Sequence, residues 1–258
     1  MQELQIGGTR ALLETRSVSK NFGALRAARD ITFTLNAGAR HALIGPNGAG
    51  KTTFINLLTG VLRPSEGRIL LKGEDITEVA QAARVKRGIA RTFQINRLFR
   101  GLSVLENVYI AVSERIGAAP TMLAPAGWRR DVIEESMQLL ETLNLQGDAH
   151  LRISELPYGR QRLVELAIAL GLKPEVLLLD EPAAGVPSAE SHIILNAIDE
   201  LPKHIGVLII DHDMDLVFRF AERITVLVQG AVFAEGTPKE IGANSDVRAV
   251  YLGQASHG

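Results

Sequence analysis

Residues 45–53 match the phosphate-binding loop pattern, in which two glycines separated by four residues precede Lys and then Ser or Thr. The stretch comprises Gly45, Pro46, Asn47, Gly48, Ala49, Gly50, Lys51, Thr52 and Thr53. Its glycines let the backbone turn tightly, so that successive N–H groups can point at a phosphate. Lys51 adds a mobile positive charge for the β- and γ-phosphates, and Thr52 offers a hydroxyl to Mg²⁺. The apolar runs on either side predict a buried strand before the loop and, after it, a helix whose N-terminus faces the anion.

Polar residues follow two more apolar runs, at the point where each run ends. Asp180 and Glu181 follow 176–179, and His212 comes shortly after 206–210. Because ligands bind at the carboxyl ends of strands in open α/β sheets, these side chains are candidates for the same site. Asp180 can hold Mg²⁺ through water, and Glu181 can orient and deprotonate the attacking water. The alternatives are a solvated acidic turn and a structural histidine.

The two ends of the chain carry β-strand signals. Residues 11–35 alternate between apolar and polar, which predicts two strands joined by a turn near Asn21 and Gly23. Phe22 lies in that turn, where it can stack on an adenine ring or belong to the core. Residues 223–228 and 231–234 predict a second hairpin around Gln229 and Gly230.

Residues 95–172 change character, because the strand signals fade and helical periodicity replaces them. The periodicity predicts helices within 102–112, 132–145 and 163–170, with a loop over 117–127. Ser103 and Glu106 have the spacing of a capping box at the start of the first of these helices. We therefore predict a helical insert in an α/β chain.

Composition narrows the range of partners. The 258 residues are 46% hydrophobic and 22% charged, which is normal for a packed protein, and the net charge of -1 gives no hint of nucleic acid. The absence of Cys excludes disulfides and thiolate metal sites. Residues 1–10 lack the apolar core of a signal peptide, and the apolar runs are too short to cross a bilayer. Any membrane role is thus expected to go through a partner.

Taken together, these motifs resemble the ATP-binding subunits of ABC transporters over almost the whole chain. The resemblance rests on the phosphate loop, Gln94 after a strand, Tyr158-Gly159-Arg160-Gln161 opening a helix, 176–181, 183–186 as the D-loop region, and His212. The stretches 91–94, 102–108, 180–185, 236–238 and 251–253 look like the subunits that serve branched-chain amino acid uptake, the LivG type.

The resemblance implies a P-loop NTPase fold of the ABC type, with a mainly parallel core sheet, an N-terminal antiparallel β subdomain and an inserted helical subdomain. It implies one ABC domain over 11–253, in which 11–94 and 173–253 form the nucleotide-binding core and 95–172 the helical subdomain. The cofactors implied are ATP and Mg²⁺.

The resemblance also implies roles for single residues. Phe22 stacks on adenine, and Lys51 with the loop amides holds the phosphates. Mg²⁺ is bound by Thr52, Gln94 and Asp180, and Gln94 also senses the permease. Glu181 is the general base, and His212 reaches the γ-phosphate. Tyr158, Gly159 and Arg160 close on ATP bound by the opposite subunit.

The signature segment departs from the family pattern. This branch usually has Leu-Ser-Tyr-Gly-Gln, whereas this chain has Leu-Pro-Tyr-Gly-Arg at 156–160. Pro157 lacks both a hydroxyl and an N–H, while Arg160 adds a positive charge. Two interpretations stay open: Arg160 replaces the lost donors, or Pro157 only shapes the start of the helix.

The implied function is an ATPase that powers a membrane importer, through dimer closure, for branched-chain or related amino acids. The implied partners are transmembrane permease subunits, a second ABC ATPase subunit in a homo- or heterodimer, and indirectly a solute-binding protein, without nucleic acid. The implied location is cytoplasmic, peripheral on the inner face of the membrane. The alternatives are another ABC transporter, for urea, lipid or lipopolysaccharide, and a soluble ABC ATPase. The single phosphate loop disfavours the soluble class.

Overall fold

The computed structural model describes residues 11–92, 98–117 and 129–252. The strands in chain order are β1 (Ala11–Phe22), β2 (Leu25–Asn36), β3 (Arg40–Ile44), β4 (Glu66–Leu71), β5 (Glu74–Asp75), β6 (Ile89–Arg91), β7 (Val176–Asp180), β8 (Gly206–Ile210), β9 (Arg223–Val228) and β10 (Ala231–Gly236). The α-helices are α1 (Lys51–Thr59), α2 (Gln81–Lys86), α3 (Val104–Arg115), α4 (Arg130–Thr142), α5 (Tyr158–Gly171), α6 (Ser188–Asp199), α7 (Met214–Phe220), α8 (Pro238–Ala243) and α9 (Ser245–Leu252).

The chain divides into two compact units. One runs to Arg84 and resumes at Pro202, and the other is Val85–Leu201. No helix within the described ranges is long and apolar enough to cross a membrane.

The first unit contains an antiparallel sheet of order β2-β1-β4-β5. The predicted hairpin near Gly23 is confirmed, since β1 pairs with β2 up to Phe22 opposite Leu25. The buried side chains of this hairpin include Leu13, Val18 and Ile31. The register of β1 shifts between Thr15 and Val18, and Ser17 between them has a positive φ of 51°. This bulge bends the strand, which strict alternation did not predict.

The same unit contains the strands that carry the phosphate loop. β3 lies parallel to both β8 and β9, so its backbone groups are paired on both edges. β9 and β10 form the predicted antiparallel hairpin. Gln229 and Gly230 have φ values of 49° and 82°, as expected for a two-residue turn that needs positive φ at both positions.

Helix α1 is held at its carboxyl end by Arg84, whose side chain is buried. All five N–H groups of the guanidinium donate to main-chain oxygens, at 2.7–3.0 Å, from residues 57, 58, 76, 77 and 79. Burial lowers the pKa of Arg84 to about 10, so it stays charged at neutral pH. A cation at the end of a helix is favourable because the last carbonyls carry partial negative charge.

The second unit places β6 parallel to β7 and contains helices α3 to α6. The predicted capping box is confirmed, because Ser103 Oγ accepts from Glu106 N and Glu106 Oε2 accepts from Ser103 N. The helix predicted over 163–170 begins earlier, at Tyr158. The loop predicted over 117–127 lies almost entirely outside the described residues.

Candidate nucleotide-binding site

The phosphate loop has the backbone that its glycines predict. Gly45, Gly48 and Gly50 have φ values of 155°, 75° and 97°. A Cβ at Gly45 would lie 2.2 Å from the carbonyl oxygen of Leu227, and one at Gly50 would lie 2.5 Å from that of Ala27. Neither position has room for a side chain, whereas a Cβ at Gly48 would meet nothing within 4 Å. Gly45 and Gly50 are therefore required by space as well as by conformation.

Lys51 begins helix α1 directly after the loop, and Gly50 is the residue that precedes the helix. Its Nζ donates to the carbonyl oxygens of Gly45 at 2.5 Å and Pro46 at 3.0 Å, which brings the ammonium back over the loop. Thr52, in the first turn, is exposed. The site thus combines a lysine, a hydroxyl and the backbone N–H groups of a helix start, a set suited to phosphate.

His212 follows β8 at the same edge of the parallel strands as the phosphate loop, because Leu43 of β3 pairs with Ile210 of β8. The Oδ1 of Asp211 accepts from the backbone N of His212 at 2.7 Å and from that of Asp213 at 3.0 Å. These bonds fix the turn, while the side chain of His212 stays 72% exposed. The imidazole is therefore presented to solvent on a fixed backbone.

Phe22 lies at the end of β1 and is 47% exposed. The interpretation of Phe22 as a core residue is therefore wrong. Lys20 Nζ lies 5.3 Å from the centroid of the Phe22 ring, which places a cation over the aromatic face. The ring thus offers an accessible flat surface in the unit that holds the phosphate loop.

Asp180 and Glu181 lie at the end of β7 in the second unit. Asp180 is buried, and its Oδ2 lies 2.6 Å from Nη2 of Arg91. Glu181 is half-buried and has a positive φ of 46°, which is uncommon for a residue with a side chain. Strained backbone of this kind costs of the order of 1–3 kcal/mol and clusters at functional sites.

The signature segment opens helix α5. Pro157 is the N-cap residue and provides no side-chain cap. The guanidinium of Arg160 pairs with Asp148 and donates to the carbonyl oxygen of Asn144, so its charge is engaged inside its own unit. Gly159 is buried and Tyr158 is partly exposed. Gln94, predicted as a site residue, lies outside the described residues.

The decisive comparison is with protein families. A family model described as "ABC transporter" matches residues 28–184. The chain belongs to the ABC transporter family. A second family model, "Branched-chain amino acid ATP-binding cassette transporter", matches residues 231–257 of this ABC ATPase.

Curated relatives match over nearly the whole chain. The high-affinity branched-chain amino acid transport ATP-binding protein LivG of Escherichia coli (strain K12) is 38% identical over 95% of this chain and 98% of its own length. The protein BraF of Pseudomonas aeruginosa, with the same description, is 37% identical over 96% of this chain and 100% of its own.

Solved structures confirm the fold. A crystal structure of the ADP conformation of an ATP-binding cassette of an ABC transporter gives a TM-score of 0.84 at 32% identity, covering 94% of this chain and 99% of that one. A nucleotide-free ATP-binding cassette gives 0.82 at 31% identity, over 93% and 98%. The chain therefore has the ABC ATPase fold that the sequence predicted.

Sequence reasoning missed two arginines of this ABC ATPase. Arg91 lies in the stretch 91–94 that resembles the family, but no pattern in the sequence predicts its pairing with Asp180. Arg162 belongs to none of the sequence motifs and lies four residues after Tyr158 in an apolar-periodic helix. For Arg162 the available signal was a charged residue at a position that the apolar periodicity of the helix assigns to its buried face.

Proposed function

We propose that this chain is the ATP-hydrolysing subunit of a membrane importer for branched-chain or related amino acids. Closure of a dimer of ATPase subunits on ATP drives the transport step. The observation that carries the substrate class is the match of residues 231–257 to the branched-chain amino acid model, joined to the likeness to LivG and BraF along the whole chain.

ATP binds at the phosphate loop in this proposal. Lys51 and the amides of the first turn of α1 face the phosphates, and Phe22 stacks on the adenine. The exposed ring of Phe22 and the ammonium of Lys51 over the loop support these roles. In this proposal Thr52 offers its exposed hydroxyl to Mg²⁺ and Asp180 holds the ion through water, since Mg²⁺ prefers few protein ligands beside phosphates and water. When bound, Mg²⁺ supplies positive charge to the phosphate oxygens.

Glu181 acts as the general base, which takes the proton of the attacking water. Its half-buried position at the end of β7 and its unusual φ support a functional role for the residue. His212 reaches the γ-phosphate, and its exposed ring on a fixed turn supports that assignment. Gln94 contacts Mg²⁺ and senses the permease.

The proposed assembly has a second ABC ATPase subunit, transmembrane permease subunits and, indirectly, a solute-binding protein. Residues 158–160 then close on ATP held by the opposite subunit. The chain works as one ABC domain, with 11–94 and 173–253 as the nucleotide-binding core and 95–172 as the helical subdomain. It lies on the cytoplasmic face of the membrane, where the permease holds it.

The test is transport by the complex that the chain forms. The tagged chain is co-purified with its membrane partners, which are identified by mass spectrometry and reconstituted in vesicles with the matching solute-binding protein. We expect ATP-dependent uptake of labelled leucine, isoleucine or valine, and loss of uptake in Lys51→Ala. Uptake of urea but not of these amino acids would overturn the substrate class, and lack of ATP hydrolysis would overturn the function as a whole.

A further inference from the structure

Arg162 is a buried charge that the proposed chemistry does not use. It lies on the first turns of α5, is 6% exposed, and belongs to the Val85–Leu201 unit. Its Nη1 donates to Oε2 of Glu165 at 2.9 Å, and Glu165 is 9% exposed. Burying two opposite charges costs more free energy than burying an apolar pair of the same size, so packing alone does not account for the pair.

The rest of the guanidinium joins two segments. Its carbon lies 5.0 Å from the centroid of the Tyr158 ring, in the first turn of α5. Its Nη2 donates over 3.4 Å to the carbonyl oxygen of Ala184, in the loop 181–186 that follows β7. Arg162 therefore contacts both the signature turn and the loop that begins with Glu181.

A second contact joins the same two segments independently. Gly185 has a positive φ of 77°, and a Cβ built there would lie 3.1 Å from Cε1 of Tyr158. The Tyr158 ring thus lies close both to the Arg162 guanidinium and to the backbone of the loop at Gly185. The loop itself is short and internally bonded, with Ala184 N donating to Glu181 O at 3.0 Å. A displacement at Ala184 is therefore passed to Glu181 through one turn of backbone.

We propose that Arg162 is a positioning residue for ATP hydrolysis, which holds the loop 181–186, and with it Glu181, against the first turn of α5. Glu165 keeps the guanidinium in place by pairing with its other edge. The proposal rests on the proposed function in one respect, the role of Glu181 as the base. A general base that is displaced by about an ångström accelerates hydrolysis much less. The affinity for ATP should not change, because it depends on the phosphate loop.

The test separates positioning from stability. In Arg162→Met/Glu165→Leu both charges are replaced by apolar groups of similar size, a change that leaves folding stability nearly intact in comparable pairs. We expect the double variant of the full chain to unfold at a wild-type denaturant midpoint. Its kcat for ATP should fall about tenfold or more, with KM changed by less than about twofold. The amides of Ala184 and Val186 should exchange with deuterium faster than in the wild type.

The matched control is Arg115→Met, at the end of α3, whose side chain contacts the other end of α5. Arg115 Nε donates to the carbonyl oxygen of Gly171 at 2.8 Å and Nη2 pairs with Glu135, so this variant also breaks an ion pair and a bond to the helix. It should keep wild-type kcat and wild-type exchange at Ala184. Wild-type kcat and loop exchange in the double variant would overturn the proposal, as would an equal loss of kcat in Arg115→Met.

Two further outcomes are decided by the same measurements. If the double variant does not fold, Arg162→Lys keeps a charge beside Glu165 but lacks the planar fork, and it should show the same fall in kcat and faster loop exchange. If the wild-type chain hydrolyses no ATP, the proposed function fails. The exchange rates of the loop amides still decide whether Arg162 holds the loop.

Discussion

Arg91 Nη2 lies 2.6 Å from Asp180 Oδ2, so a guanidinium at the end of β6 is paired with the carboxylate at the end of the neighbouring strand β7. Both side chains are largely buried. Removing one partner of a buried pair leaves the other charge uncompensated. We expect Arg91→Met to lower the free energy of unfolding by about 3–5 kcal/mol, measured by urea unfolding, and to lower ATP turnover.

The control for this change is Arg130→Met in the same unit. Arg130 pairs with Glu134 at 2.8 Å, but both side chains are exposed. Exposed pairs of this spacing contribute about 0.5 kcal/mol or less. If the free energy of unfolding fell equally in Arg91→Met and Arg130→Met, burial would not be what makes the Arg91–Asp180 pair matter for stability.

We expect the buried side chain of His41 to make the free energy of unfolding depend on pH. Its Nε2 is 2.8 Å from Thr225 Oγ1, its ring meets that of Phe33, and burial lowers the pKa of His41 from 6.5 to about 4. Between these values the unfolded chain binds more protons than the folded one. Stability is therefore complete above pH 6.5 and is lost as pH falls toward 4, by about 3 kcal/mol in all.

The measurement is urea unfolding at pH 7.5, 6 and 5. His41→Asn should reduce the dependence on pH in this window, because the titrating group is gone. His150→Asn changes an exposed histidine and should leave the dependence as in the wild type. A wild-type slope in His41→Asn would refute the assignment.

Two glycines of the phosphate loop should respond differently to alanine. Gly50→Ala places a Cβ 2.5 Å from a backbone oxygen at a φ of 97°, whereas Gly48→Ala meets only the strain of a φ of 75°. We expect the free energy of unfolding to fall by about 3 kcal/mol or more in Gly50→Ala and by about 1–2 kcal/mol in Gly48→Ala. ATP affinity should fall in the same order, by titration of the full chain. A reversed order would show that contacts with nucleotide, not space, decide the choice of glycine.

The sequence places four large apolar residues just after Gln94, namely Ile95, Leu98, Phe99 and Leu102, and this pattern predicts a surface that docks a permease helix. That prediction is wrong for Leu98, which is buried, whereas Phe99 is 57% exposed; Ile95 lies outside the described residues. Phe99→Asp should keep soluble ATPase activity and stability while it weakens membrane association in a sedimentation assay.

Phe233→Asp is the matched control for docking, since Phe233 is also exposed but lies on β10. It should leave membrane association unchanged. Loss of association in both variants would point to a general effect of added charge, and failure of Phe99→Asp to fold would assign Phe99 to the core.

The two departures in the signature segment can be tested separately. Pro157→Ser supplies an N-cap hydroxyl to α5, so we expect a gain of about 1 kcal/mol in stability and neutral or mildly raised ATPase activity. Arg160→Ala should cost more activity than Pro157→Ser, measured as hydrolysis by the assembled transporter with the partner ATPase kept wild type. A dead Pro157→Ser beside a fully active Arg160→Ala would reverse the assignment.

The ion pair of Arg160 adds a discriminating variant. Asp148→Asn releases the guanidinium from its partner inside the unit but keeps its charge. If Arg160 serves the opposite γ-phosphate, this variant should retain activity. A loss equal to that of Arg160→Ala would assign Arg160 a role within its own unit instead.

Local patterns predicted the parts of the fold whose causes are local. The strand β3, the glycine loop and α1 follow from consecutive residues, and so do the capping box at Ser103 and the turn at Gln229. The short helix α2 has too few residues for a periodic signal. Helix α8 does carry a capping box, Thr237 with Glu240, so its start has a local signal in the sequence.

The candidate site could be predicted from the sequence only in part, because it depends on contacts between residues that are far apart in the chain. Arg91 and Asp180 are 89 positions apart, and no pattern in one sequence pairs them. The segment 98–99 shows the same limit at short range. Leu98 and Phe99 are adjacent and both apolar, and only the packed structure decides that one is buried and the other faces outward.

The guanidinium of Arg84 donates hydrogen bonds to main-chain carbonyl oxygens, which every type of residue has. Since all five of its partners are main-chain carbonyls, residues 57, 58, 76, 77 and 79 can be exchanged for others without loss of an acceptor. Position 84 has no such freedom, because lysine lacks the planar fork that reaches five oxygens at once. Arg84 therefore places no demand on the side chains of its five acceptors. A random library should retain arginine at 84, whereas the side chains accepted at Leu57, Leu58 and Ile76 are set by their burial in the core.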